Sequence, residues 1–482
     1  MEIDTRFIGR KAELARLNGF LSKRSASLIV VRGRRRIGKS RLLKEFGKQM
    51  KNFFFSGLPP KKKRKITDAA QKREFVNQLQ QQGIPGVNPD DWSNLFWHLA
   101  QHTKEGRVLI VLDEISWMGS KDPDFLGKLK NAWDLHFSNN PELILVLCGS
   151  ISSWIEENIL SSTGYVGRVS LDLYLEELPL DDCNTFWQPN ANRITPYEKF
   201  KVLSVTGGVP LYLELIRPEL SAEENIREIC FTRGGLLVRE FEQIFSDLFL
   251  RRSKSYKAII ECLADGPKDL QEICDMLKKS KGGINNIYID NLVEAGYVKR
   301  DFTWHLDTEN VAKLTKYRLS DNYLRFYLKY IGPAEIQIEN GIFAYSSLTA
   351  LPAWEAIMGL QFENLVVHNR RLIWKMLGID VNDIVMDGPF FQTHTQQRPG
   401  CQIDYLIQTR FNTLYLCEIK FSKGVVGTNV IEEVERKRKR LVMPKHCSIR
   451  PVLIHVNGVD ENVKDSRYFD KIIDFGYLLE KF

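Results

Sequence analysis

Two stretches near opposite ends of this 482-residue chain space their side chains as phosphate chemistry requires. In the first, SLIVVRGRRRIGKSRLLKEF (27–46), an apolar strand-like run leads through Gly33-x4-Gly38-Lys39-Ser40 into a helix-like run. Glycines let backbone N–H groups close around phosphate oxygens, and a helix N-terminus adds its dipole. Lys39 is then placed for the β- and γ-phosphates, and the Ser40 hydroxyl for Mg²⁺. In the second, QIDYLIQTRFNTLYLCEIKFS (402–422), Asp404, Glu418 and Lys420 lie in alternating, strand-like sequence.

The first stretch has partners further on. RVLIVLDEIS (107–116) is a wholly apolar strand ending in Asp113 and Glu114, at the strand edge where α/β sheets bind ligands. Asp113 is expected to hold the Mg²⁺ through water, and Glu114 to activate the attacking water. A third strand, ELILVLCGS (142–150), ends at Ser150, either a γ-phosphate sensor or the cap of the next helix. GYVGRVSLDL (164–173) offers Arg168, either a nucleotide contact or a surface arginine, and TGGVPLYLELI (206–216) opens a helix after Gly207, Gly208, Val209 and Pro210.

In this order, FIGRKAELARL (7–17), the glycine loop, VLDEIS, CGS, GR and GGVPLYL resemble the archaeal ATPase family, P-loop proteins related to AAA+ and STAND ATPases. The resemblance spans roughly residues 5–245 and implies ATP as ligand with Mg²⁺. It implies nucleotide contacts at Ile8, Gly9 and Arg10, at Ile37 and Arg41 in and beside the loop, and at Pro210. Three arginines inside the loop, Arg34, Arg35 and Arg36, depart from the family pattern; they act on phosphate or face acidic partners.

For the second stretch the pattern of alternation fixes a geometry. Leu414, Leu416, Glu418 and Lys420 share one strand face, QIDYLI is a second strand, and residues 409–413 make a hairpin loop. Centred on Phe411, the hairpin sets Asp404 directly opposite Glu418, with Cβ atoms about 4.5–5.5 Å apart. Carboxylates that close repel unless a divalent cation lies between them. Lys420, on the same face, is placed to stabilise the attacked phosphate. Glu435-Arg436-Lys437 repeats the same spacing, but within a charged helix, IEEVERKRKRL, which either binds a nucleic-acid backbone or is simply solvated.

This second pattern resembles the PD-(D/E)xK nucleases over about residues 335–482. The resemblance implies Asp404 and Glu418 as metal ligands with the Ile419 carbonyl, Lys420 as catalytic lysine, Mg²⁺ or Mn²⁺ as metal, and a helical glutamate, Glu363, completing the set. Between the two regions, residues 252–325 read as three short helices and a β-wing, a winged helix, with Asn285, Asn286 and Tyr288 where a DNA reader would touch bases. His98 and His102 have metal-pair spacing but no third ligand nearby, so one helix face accounts for them.

The expected fold is therefore α/β throughout, with four parts: a P-loop ATPase core (1–170), a helical lid (171–250), a winged helix (251–330) and a nuclease-like domain (331–482). Bulk composition agrees: 43% hydrophobic and 27% charged residues suit a globular protein. No apolar run approaches the ~20 residues of a membrane span, the N-terminus lacks a signal-peptide pattern, and eight scattered cysteines fit a reducing cytosol. Residues 1–75 hold 22 Lys/Arg against 6 Asp/Glu, a net +16 beside −8 for the remainder. That asymmetry favours phosphate-bearing partners, nucleotide or DNA, although PPKKKRK (59–65) reads as a solvated loop. Two functions follow: an ATP-regulated nuclease, possible as a homo-oligomer, or a nucleotide switch whose nuclease-like domain only docks.

Overall fold

The computed structural model describes residues 7–59, 66–249, 253–278, 283–396 and 399–480; the basic run at 60–65, Lys279 and Lys281 lie outside them. The chain forms two compact units, one of Met1–Leu178 with Gln243–Ser253 and Glu294–Gly296, the other of Pro179–Glu242, Lys254–Val293 and Tyr297–Phe482.

The first unit is built on five parallel strands: β1 (Ser27–Arg32), β2 (Lys51–Ser56), β3 (Val108–Asp113), β4 (Leu143–Gly149) and β5 (Val169–Tyr174). Their order is β2-β3-β4-β1-β5. Continuous apolar runs are needed because both faces are covered. Leu28 and Val30 of β1, with Val108, Ile110 and Leu112 of β3, enter one core. Their neighbours Ile29, Val31, Leu109 and Val111 enter the core on the other face. Helix α1 (Lys11–Asn18) and helix α2 (Lys39–Gly47) contribute Leu17, Leu42, Leu43 and Phe46 to that second core.

The edge strand β2 is finished by side chains. Helix α3 (Asp68–Gln81) and the residue after it aim three glutamine amides at the strand's free edge. Gln82 accepts from the Phe54 N–H at 2.7 Å and donates to its carbonyl at 2.9 Å. Gln78 does the same for Ser56, at 2.8 and 3.1 Å, and Gln71 for Leu58, at 2.9 and 3.1 Å. Each amide presents one donor and one acceptor, as a neighbouring strand would, so the exposed ladder is closed without a sixth strand. Below it Phe55, Phe75, Trp92, Phe96 and Phe125 pack ring against ring; Trp92 opens helix α4 (Trp92–Gln101) and Phe125 helix α5 (Phe125–Leu135).

The second unit departs from the expected division. Helix α6 (Pro196–Thr206), assigned by sequence to a lid, packs instead on helix α10 (Trp354–His368). The rings of Phe200 and Phe362 lie 5.1 Å apart, and the buried Lys199 ammonium donates to the Asn184 side chain and the Leu479 carbonyl at 2.8 and 2.7 Å. Apolar and buried polar partners thus draw residues 179–242 into the C-terminal unit.

Residues 253–319 form helices α7 (Ser253–Leu263), α8 (Leu270–Met276) and α9 (Gly283–Glu294), followed by the antiparallel hairpin β6 (Val298–Trp304) and β7 (Val311–Leu319). Tyr288 is buried against Tyr256, with ring centroids 4.8 Å apart. The hairpin residues Trp304 and Leu306 sink into one core with Phe390, Ile403 and Leu406. The Trp304 indole also donates to Gln408 at 2.7 Å.

That core belongs to a mixed sheet of β8 (Ile384–Gln392), β9 (Cys401–Thr409), β10 (Thr413–Phe421), β11 (Ser448–Val456) and β12 (Lys471–Asp474), in order β12-β11-β10-β9-β8. β8, β9 and β10 pair antiparallel, while β10, β11 and β12 run parallel. Helix α11 (Asn429–Arg440) lays Val430 and Val434 on Leu414, Leu416 and Leu453 of this sheet.

The glutamine edge yields the first prediction. Gln71→Ala leaves the Leu58 N–H and carbonyl without their partner, and takes from the Trp117 carbonyl a donor at 3.0 Å, leaving it the Ser120 N–H. Its unfolding free energy in denaturant should fall by about 1–3 kcal/mol. Gln81→Ala, at an exposed position of the same helix, should change it by less than about 0.5 kcal/mol.

Candidate functional sites

At the C-terminal edge of the parallel sheet, β1, β4 and β3 lie side by side, so their loops converge. Gly33 has φ 143, and a Cβ there would stand 2.5 Å from the Leu175 carbonyl oxygen, so only glycine fits. Gly38, at φ 90, turns the loop into α2. Arg10 braces the loop from outside: its guanidinium donates to the Ile37 carbonyl at 3.0 Å and the Glu176 carbonyl at 2.7 Å, with Glu13 as its ion-pair partner. Ile8 and Gly9 lead directly into this residue.

The buried Lys39 ammonium donates to the Gly33 and Arg34 carbonyls at 2.9 and 3.0 Å and to the Ser150 hydroxyl at 2.8 Å. Ser150 in turn donates to Glu114 at 2.9 Å, and its N–H reaches the same carboxylate at 3.3 Å. Ser40 donates to Asp113 at 2.6 Å. A hydroxyl and a carboxylate side by side at the loop's helix end are the oxygen donors that suit Mg²⁺. Glu114 sits at φ 50, a left-handed backbone that few non-glycine residues adopt. Burial raises its carboxyl above the ordinary glutamate range, against the opposing charge of Lys39. Ser150 is therefore the hinge between the loop lysine and the acid expected to activate water.

Several expected nucleotide contacts have other partners. Arg168 precedes the start of β5, whereas the glycine loop follows the far end of β1, which is parallel to it. Its guanidinium grips Asp134 in a bidentate pair at 2.8 and 2.9 Å, so in its own chain it is a surface ion pair and not a nucleotide contact. Arg34 is buried and paired with Glu177 at 2.9 Å, and Arg36 donates to Gln243 at 3.0 Å. Pro210 opens a short helix of the second unit.

The second cleft lies on the mixed sheet. Thr413 pairs with Thr409 and Cys417 with Tyr405, so paired numbers sum to 822 (413 + 409; 417 + 405), the register centred on Phe411. The paired ladder ends there; just past it, the Asp404 and Glu418 carboxylates both reach the Lys437 ammonium. The Asp404 carboxylate accepts from the Ile419 N–H at 3.0 Å. Glu363, on α10, lines the same cleft of about 390 Å³ with Asp404, Glu418 and Lys420. A buried polar network positions that helix. Arg325 donates to Gln361 at 2.6 Å, Asn364 donates to Asn322 at 3.0 Å, and Arg318 pairs with Asp301 at 2.8 Å while also reaching Asn364. Burial, and then the charge of Asp404, push the Glu363 carboxyl well above the ordinary range.

The residue that sequence reasoning passed over is Lys437. Its ammonium stands between the two carboxylates, 2.9 Å from Asp404 and 2.6 Å from the buried Glu418. Lys420 lies 3.1 Å from Glu418 and 2.6 Å from Glu433, one turn before Lys437 on α11. Burial opposes the charge on Lys437, but Asp404 and Glu418 outweigh it and hold the ammonium protonated. The signal was available: Val430 and Val434 define the buried face of α11, and Glu433 and Lys437 flank it at helical spacing. Among the described residues no group of three His, Cys, Asp or Glu side chains is set to hold a metal. Two carboxylates already closing on one cation nevertheless suit a hard divalent ion with the Ile419 carbonyl.

No helix among the described residues is long and apolar enough to cross a membrane. Residues 7–216 match the family model of an ATPase domain predominantly from Archaea. An uncharacterized protein of Methanocaldococcus jannaschii is 25% identical over 366 residues, covering 74% of this chain and 76% of that one. Among solved structures, a Walker-type ATPase of Pyrococcus abyssi shares 18% identity at a TM-score of 0.49, over 68% of this chain and 99% of its own. The ORC2 protein of Aeropyrum pernix shares 14% at 0.41, over 70% and 98%. Motif geometry, strand order and the family match over its N-terminal part agree that this chain carries a P-loop ATPase domain.

Proposed function

We propose that the chain is an ATP-hydrolysing enzyme whose second unit is a metal-dependent nuclease acting on DNA, with nucleotide state controlling cleavage. One observation carries the nuclease reading: Asp404 and Glu418 converge on a single cation position, with Lys420 and Glu363 in the same cleft. Asp404, Glu418 and the Ile419 carbonyl would hold Mg²⁺ or Mn²⁺, which would polarise the phosphodiester and the attacking water. Lys420 holds its charge where an attacked phosphate gains negative charge. Arg436 and Arg440, also lining the cleft, offer cations to flanking phosphates. At the ATP site the loop N–H groups and Lys39 would bind the phosphates, Ser40 and Asp113 would hold Mg²⁺, and Glu114 would take the proton of the attacking water. Ser150, bonded to both Lys39 and Glu114, links phosphate occupancy to the orientation of that base.

A second reading is favoured by one contact. Lys437 already neutralises Asp404 and Glu418, as it would in a docking domain whose carboxylates serve only an ion pair.

Two experiments test these assignments. Glu114→Gln should bind ATP but lose turnover by on the order of 100-fold, whereas Lys39→Ala should not bind. A base must be deprotonated, and burial raises the Glu114 carboxyl, so wild-type turnover should fall with acidification at a pH above the ordinary 4.5 of glutamate. Wild-type turnover by Glu114→Gln would remove that role. The second experiment is cleavage of plasmid DNA with Mg²⁺ or Mn²⁺, with and without ATP. Lys420→Ala should lose cleavage by about 100-fold or more and keep its ATPase activity, while Lys39→Ala should lose the response of cleavage to ATP. If wild type cuts neither DNA nor RNA with either metal, the docking reading replaces the nuclease.

A further inference from the structure

We infer that Lys437 is an exchangeable stand-in for the metal: a divalent ion entering between Asp404 and Glu418 displaces its ammonium onto Glu433, and this releases Lys420 for the phosphate. The inference rests on the nuclease reading of this cleft. Three features carry it. The Lys437 ammonium occupies a place where both carboxylates share a cation, at 2.9 and 2.6 Å. A divalent ion bound there would repel an ammonium at that range, so both cannot stay. And the place for the ammonium to go is built into the same helix. Glu433 lies four residues before Lys437 on α11, the order in which Glu and Lys pair best along a helix.

The exchange has a second effect because Glu433 is already engaged. Its carboxylate holds the Lys420 ammonium at 2.6 Å. When Glu433 receives Lys437, Lys420 keeps only Glu418, now bound to the metal, and its charge becomes available to a phosphate oxygen. No bond is made or broken; two lysines change partners. Without metal, α11 supplies both a cation for the acids and an acid for the catalytic lysine, and the cleft is self-neutralised. The buried Glu418, 2% exposed, is thereby never left as an uncompensated charge, which burial makes costly.

The test is Mn²⁺ binding to the nucleotide-free full chain by titration calorimetry, with Asp404→Asn marking the heat that belongs to this cleft. Lys437→Met should bind Mn²⁺ roughly tenfold more tightly than wild type, since no ammonium competes. Glu433→Gln should bind it several-fold more weakly, because the displaced lysine has lost its partner. Lys437→Met leaves two carboxylates facing each other, so a wild-type measurement stands beside it. Acylation of Lys437 by acetic anhydride, read by mass spectrometry, should rise when Mn²⁺ is added. Equal affinity in wild type and Lys437→Met, or Lys437 reactivity indifferent to Mn²⁺, overturns the exchange while leaving the metal site standing. Absence of Asp404-dependent Mn²⁺ binding in both proteins removes the metal reading and the exchange together, and Lys437 is then a permanent ion pair.

Discussion

An ammonium group taken out of water must be surrounded by oxygen, because its desolvation costs several kcal/mol and only close partners offset it. Each candidate site in this chain is organised around such a group. Lys39 is satisfied by two loop carbonyls and Ser150, which hold the glycine loop closed around a position meant for phosphate. Lys437 is satisfied by Asp404 and Glu418, which would otherwise repel each other across β9 and β10. In both places the lysine pre-shapes a ligand site by doing electrostatically what the ligand would do.

The two sites differ in what the lysine does when a ligand arrives. Lys39 complements an anion, so phosphate is an added partner and the ammonium stays. Lys437 competes with a cation, so a metal must expel it. The surrounding structure matches this difference. The loop that carries Lys39 is braced by Arg10, whereas Lys437 projects from α11, which also carries a further carboxylate, Glu433, one turn away.

Much of this was legible in the residues, and the illegible part has physical causes. Loop glycines, Asp113, Glu114 and Ser150 stand at strand ends, where local pattern alone dictates position. The hairpin register was legible because alternation has a period of two, and the TRFNT loop leaves one centre that keeps Leu414 and Leu416 inward. What failed depended on tertiary partners. Helix α6 carries no mark of which core will bury it, and Phe200 meets Phe362 from 162 residues away (362 − 200). Arg168 lies in a motif-like stretch, but β5 begins there, which sets it at the sheet edge opposite the phosphate loop. Lys437 was hidden in a run of charges that also reads as a solvated face. Only Val430 and Val434, by fixing the roll of the helix, decide which of those cations turns inward.

The glutamine-lined edge of β2 has a chemical consequence beyond holding the sheet. Glutamine and glutamate are nearly the same shape, yet the amide offers a donor and an acceptor while the carboxylate only accepts. Hydrolysis of a single side-chain amide at Gln71, Gln78 or Gln82 would leave the outline of the edge intact. It would also set a negative charge against a backbone carbonyl at about 3 Å. A backbone strand in that position could not fail in this way. At this boundary, then, the loss of one amide nitrogen would turn an attraction into a repulsion without changing the shape of the edge.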